Sequence, residues 1–113
     1  MQTRHYFFFF ALAILIAAVA ASAGFAADDK AGTEVKIDNF AFSPAVITVP
    51  AGTTIRWTNR DDIPHTVVSD DHTTFKSKPL DTDEQFTYTF AKPGTYSYFC
   101  SIHPKMTGKV VVQ

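Results

Sequence analysis

Hydrophobic and polar positions divide the chain into two unlike parts. Phe7 to Val19 is an unbroken apolar run behind a positive charge at Arg4. It tapers into Ala20-Ala21-Ser22-Ala23-Gly24, and Gly24-Phe25-Ala26 has a small-x-small pattern. This is the layout of a secretory leader over residues 1–26, with cleavage expected after Ala26 and Ala23 and Ala27 as rival points. An uncleaved anchor is the competing reading, because Phe7 to Ala27 is uncharged over a length that can span a bilayer. The small-residue taper favours cleavage. The run has neither a following cysteine for lipid attachment nor a twin-arginine pair. Residues 27–33 read as a loose polar tail. From Glu34 the period becomes two, the mark of half-buried strands. Expected strands are Glu34–Asp38, Ala45–Val49, Thr54–Asn59, Thr66–Ser69, Gln85–Phe90, Thr95–Cys100 and Lys109–Val112. Pro50-Ala51-Gly52 and Lys92-Pro93-Gly94 supply turns. About seven to eight short strands and no 3.6-residue period predict an all-β sandwich or small barrel over residues 34–113. Trp57, Phe86, Tyr88 and Phe90 are expected in its core.

Composition narrows the function. With 113 residues, 46% of them hydrophobic, there is material for one compact domain. Ten basic against eleven acidic side chains give a net charge of −1, so no nucleic-acid footprint is expected. The single cysteine excludes an internal disulfide framework and a paired-cysteine zinc site. Two methionines exclude a methionine-rich copper scavenger. A domain this small, with no disulfide, stands to gain from a bound metal.

The candidate chemistry lies in Cys100-Ser101-Ile102-His103-Pro104-Lys105-Met106, where a thiol, an imidazole and a thioether recur every third residue. Pro104 disfavours a helix, because the residue before a proline is pushed out of the α region. A tight loop leaving the strand at Cys100 is expected instead. His65, 35 residues upstream, would add a second imidazole if distant strand ends meet at one pole. Taken singly, each residue has an ordinary explanation: small buried cysteine, solvated histidine, methionine as filler. Together they form a His₂Cys set with a weak thioether, the arrangement of type 1 copper. His72, beside Asp70 and Asp71, is not expected to be a ligand. The dinuclear copper centre of oxidases needs two cysteines and is excluded.

The sequence resembles the cupredoxins, the small blue copper proteins. The resemblance rests on Pro64-His65-Thr66-Val67 with Cys100-x-x-His103-Pro104-x-Met106-x-Gly108. Phe40-x-Phe42-x-Pro44, Val49-Pro50-x-Gly52, Trp57-x-Asn59 and Gly94-x-Tyr96-x-Tyr98-x-Cys100 support it. The short C-x-x-H-x-x-M loop is similar to that of the amicyanin branch. The resemblance implies a Greek-key β-sandwich with one copper ion at one pole. It implies His65 Nδ1, Cys100 Sγ and His103 Nδ1 as strong ligands and Met106 Sδ as a long axial one. In one departure, Thr66 stands where amicyanin and several relatives have an asparagine that ties the two ligand loops together.

The function expected from these readings is a periplasmic, monomeric one-electron carrier and not an enzyme. Its redox partner, a c-type cytochrome, dehydrogenase or oxidase, would dock near His103 over Ile63, Pro64, Ile102 and Pro104. The acidic clusters Asp61-Asp62, Asp70-Asp71 and Asp81-x-Asp83-Glu84 read as solvated loops or as steering charge for a basic partner. Copper storage, delivery or tolerance with the same ligands is the alternative, and a metal-free structural sandwich a third class.

Overall fold

The structure, a computed structural model, describes residues 33–113. The leader 1–26 and all but the last residue of the tail 27–33 lie outside the described residues. Eight strands follow in order: β1 (Glu34–Asp38), β2 (Ala41–Ser43), β3 (Val46–Val49), β4 (Thr53–Asn59), β5 (Val68–Ser69), β6 (Gln85–Phe90), β7 (Gly94–Phe99) and β8 (Thr107–Val112). They form two four-stranded sheets, ordered β2-β1-β4-β6 and β3-β8-β7-β5. The chain crosses between sheets repeatedly, so β1 lies parallel to β4 and β3 parallel to β8, while the remaining neighbours are antiparallel. This is the Greek-key sandwich implied by the resemblance.

Period-two patterning explains which side chains meet between the sheets. Val35 and Ile37 of β1, Ile55 and Trp57 of β4, Tyr98 of β7, and Val110 and Val112 of β8 all point inward and are buried. Trp57 and Tyr98, one from each sheet, meet edge-to-face with ring centroids 5.5 Å apart. Phe42 meets Tyr98 in the same way at 4.8 Å. Burying such rings contributes both apolar area and directed ring contacts.

Three features differ from the strand pattern read in the sequence. β2 is too short to announce itself by alternation. β5 is only two residues long, because the residues before it pair with a connection instead of a strand. His65 and Leu80 exchange backbone hydrogen bonds at 3.1 and 2.7 Å, and Ser77 donates to the Val67 carbonyl at 2.8 Å. Phe86 and Tyr88 are only partly buried, because β6 is an edge strand, although both pack against the core. Phe75, from the β5–β6 connection, completes that core by stacking on Trp57 at 5.8 Å.

Candidate metal centre

The centre is built where β4 and β7 run out at the same pole. Asn59, the last residue of β4, is wholly buried. Its Nδ2 donates to the carbonyls of Ile63 and Leu80, both at 2.8 Å, and its Oδ1 accepts the Asp61 N–H at 2.9 Å. One amide thus shapes the turn over residues 60–64 that delivers His65. The histidine backbone is then fixed by the exchange with Leu80 and its ring is fully buried.

The second strand end supplies three donors. Cys100 follows β7 directly and is buried. Its N–H donates to the Met106 carbonyl at 3.0 Å, and the Met106 N–H donates to the His103 carbonyl at 2.9 Å. These two bonds close the expected tight loop.

The structure brings the sequence-predicted residues together. The donor atoms of His65, Cys100 and His103 lie within 4.8 Å of one another. Cys100 Sγ stands 3.7 Å from His65 Nδ1 and 3.9 Å from His103 Nδ1. A metal amid a trigonal set, with sulfur about 2.3 Å and nitrogens about 2.0 Å away, requires sulfur–nitrogen separations of about 3.7 Å. Both sulfur–nitrogen separations therefore match a trigonal metal site. Met106, also buried, lines one hollow with His103. His72 is elsewhere, its ring against Phe99 at 5.4 Å.

The electrostatics favour a thiolate. Burial pushes the Cys100 thiol up. The Thr66 N–H and the backbone and ring of His103 oppose that effect and hold the thiol below its ordinary value. The Thr66 N–H lies 3.4 Å from Sγ and the Thr66 hydroxyl 3.8 Å. That hydroxyl accepts the Ser101 N–H at 2.7 Å and pairs with the Ser101 hydroxyl at 2.7 Å. Threonine thus makes the bridge between the ligand loops for which the resemblance supplies an asparagine.

Two residues of the site escape the sequence reading. Phe40, 52% exposed, stands edge-on to His65 at 5.6 Å and to His103 at 5.1 Å. It belongs to the β1–β2 turn, where Asn39 and Phe40 have φ of 52° and 57°. That left-handed conformation costs a residue with a Cβ about 1–2 kcal/mol. The second is Asp61, whose Oδ2 lies 2.7 Å from His65 Nε2. Burial opposes its ionisation, but the Phe40 N–H, the His65 ring and the Asn39 N–H hold its carboxyl below the usual value. An acceptor four residues before His65 is the signal that points to it.

The Cupredoxin-like domain family model matches residues 8–112. The chain is a cupredoxin. It is 38% identical to amicyanin-alpha of Methylorubrum extorquens over 91 residues, which cover 72% of this chain and 71% of that protein. It is 33% identical to a chloroplastic plastocyanin of Tetradesmus obliquus, over 86% of this chain and 79% of that protein. Among solved structures, a purple cupredoxin from Nitrosopumilus maritimus superposes with a TM-score of 0.69 at 35% identity, covering 72% of this chain and 99% of that one. As a blue copper cupredoxin the protein takes one copper ion, and the soft thiolate and thioether beside two imidazoles suit that metal.

Proposed function

We propose that this cupredoxin is a periplasmic one-electron carrier, with His65, Cys100, His103 and Met106 as its copper ligands. The observation that carries the reading is the cluster of Cys100 Sγ with two imidazole Nδ1 atoms at 3.7 and 3.9 Å. Copper supplies the exchange of one electron between Cu(II) and Cu(I). The protein supplies a donor set that is already assembled. His65 is locked by its backbone pairing with Leu80, and Cys100 and Met106 by their mutual loop bond. Donors that cannot move far impose little rearrangement when the charge changes, and small rearrangement makes electron transfer fast. Four side-chain donors leave no open position for a substrate, as catalysis at a metal requires, so the protein is not an enzyme.

His103 is the half-buried ligand and the electron port. Around it Phe40, Ile102, Pro104, Lys105 and Met106 line an apolar hollow. With Ile102 43% exposed, this face supports docking of a redox partner by an apolar patch, with the protein acting as a monomer. A c-type cytochrome, a dehydrogenase or an oxidase would fit the role. Periplasmic location rests on the leader-like residues 1–26.

Cyclic voltammetry and self-exchange rates test the carrier reading. A reversible couple with copper retained in both states, and fast self-exchange, is the expected result. Ready loss of Cu(I) to a competing thiol acceptor, with sluggish exchange, would replace it with copper storage or delivery.

A further inference from the structure

Asp61 reads in the sequence as one member of an acidic loop pair, yet its side chain is 11% exposed and both its oxygens are engaged. Oδ1 accepts the Asn39 N–H at 2.7 Å. Oδ2 accepts the Phe40 N–H at 3.0 Å and faces His65 Nε2 at 2.7 Å. Two further bonds hold its backbone: the N–H donates to Asn59 Oδ1, and the carbonyl accepts the Thr82 hydroxyl at 2.6 Å. The carboxylate is therefore a fixed acceptor.

A fixed carboxylate settles which ring nitrogen of His65 carries hydrogen. If Nε2 were bare, its lone pair would face an anionic oxygen at 2.7 Å with no proton between them. With hydrogen on Nε2 the contact is a charge-assisted bond, and Nδ1 is left as the lone-pair donor aimed toward Cys100. The same oxygen also holds the N–H of Phe40, whose ring stands against His65 and His103. We propose that Asp61 is a positioning residue that sets the tautomer and orientation of His65 and, through the Asn39–Phe40 turn, seats the Phe40 ring against both imidazoles. A charged acceptor behind a ligand imidazole also strengthens it as a donor. Because Cu(II) gains more from such a donor than Cu(I), Asp61 lowers the reduction potential.

The copper-dependent part of this inference rests on the carrier reading; the tautomer part does not. Nitrogen-15 NMR of the intact, metal-free protein reads the tautomer directly. In the wild type, hydrogen on His65 Nε2, exchanging slowly with water, is expected. Its absence, or hydrogen on Nδ1 alone, overturns the proposal whether or not any variant folds. In Asp61→Asn the Nε2 hydrogen should exchange faster and the Nδ1–H tautomer should appear, and an unchanged ring would mean that Asp61 is merely structural. Phe40→Ala keeps the backbone bond and should leave the His65 tautomer as it was. With copper added, Asp61→Asn should weaken Cu(II) binding by about ten- to a hundredfold and raise the potential. Asp61→Glu should recover part of both, and equal loss in both variants would show that the carboxylate charge is irrelevant.

Discussion

A single exposed carboxylate organises the loop after β5. Asp71 Oδ1 accepts the Ser69 hydroxyl at 2.6 Å and the N–H groups of Thr73 and Thr74, both at 2.9 Å, and the Thr74 hydroxyl bonds to its other oxygen. The Ser69 hydroxyl, then the Thr74 hydroxyl and the Thr74 and Thr73 N–H groups, hold the carboxyl well below the usual carboxylate range. A lowered folded value stabilises the folded state above the unfolded value, near pH 4, and that contribution is lost as pH falls through the folded value. Asp71→Asn should therefore lower stability at neutral pH and flatten the acid side of a stability–pH curve from urea melts below about pH 4. An unchanged acid limb would contradict this assignment. The sequence offers Asp61, Asp62, Asp70, Asp71, Asp81, Asp83 and Glu84 as equivalent loop acids, because composition alone does not say which carboxylate turns toward backbone N–H groups. Asp61, Asp71 and Glu84 do so, whereas Asp83 pairs with exposed Arg60 at 2.7 Å, a surface contact of small worth.

Among the elements, β7 and β8 show how the strand pattern and the ligand loop depend on each other. Gly108 lies opposite Tyr98 across the pair. A Cβ on Gly108 would come within 2.3 Å of the Tyr98 ring and hydroxyl oxygen. Tyr98 has nowhere to go, being wedged between Trp57 and Phe42 and two residues before Cys100. Gly108→Ala should cost about 1–3 kcal/mol, read as an earlier urea midpoint of the metal-free protein, and an unchanged midpoint would contradict the packing. β1 and β6 were legible residue for residue, because Glu34–Asp38 and Gln85–Phe90 alternate cleanly. The connection over residues 70–84 was not. Phe75 and Leu80 are buried without any strand period, placed by backbone bonds to Ser69 and His65 that no local pattern encodes.

At the scale of the whole molecule, the crossings between sheets bring the end of β4 and the end of β7 to one pole, joining His65 to a loop 35 residues away. The four candidate donors could be read from the sequence because a thiol, an imidazole and a thioether within seven residues, with a second imidazole upstream, have few other uses. Their supports could not. Phe40, Asp61 and Asn59 are ordinary residue types, and their roles arise only when the β1–β2 turn meets the end of β4. Thr66 is the exception: the resemblance marks its position as the tie between the two loops, and its hydroxyl meets that of Ser101 at 2.7 Å. The most direct test of the copper ligand assignment is the visible and electron-spin-resonance spectrum after adding one equivalent of Cu(II), measured beside Cys100→Ser. An intense blue band with narrow copper hyperfine splitting, absent from Cys100→Ser, is the predicted result. A pale, ordinary cupric spectrum, or a blue band that survives the substitution, would contradict it.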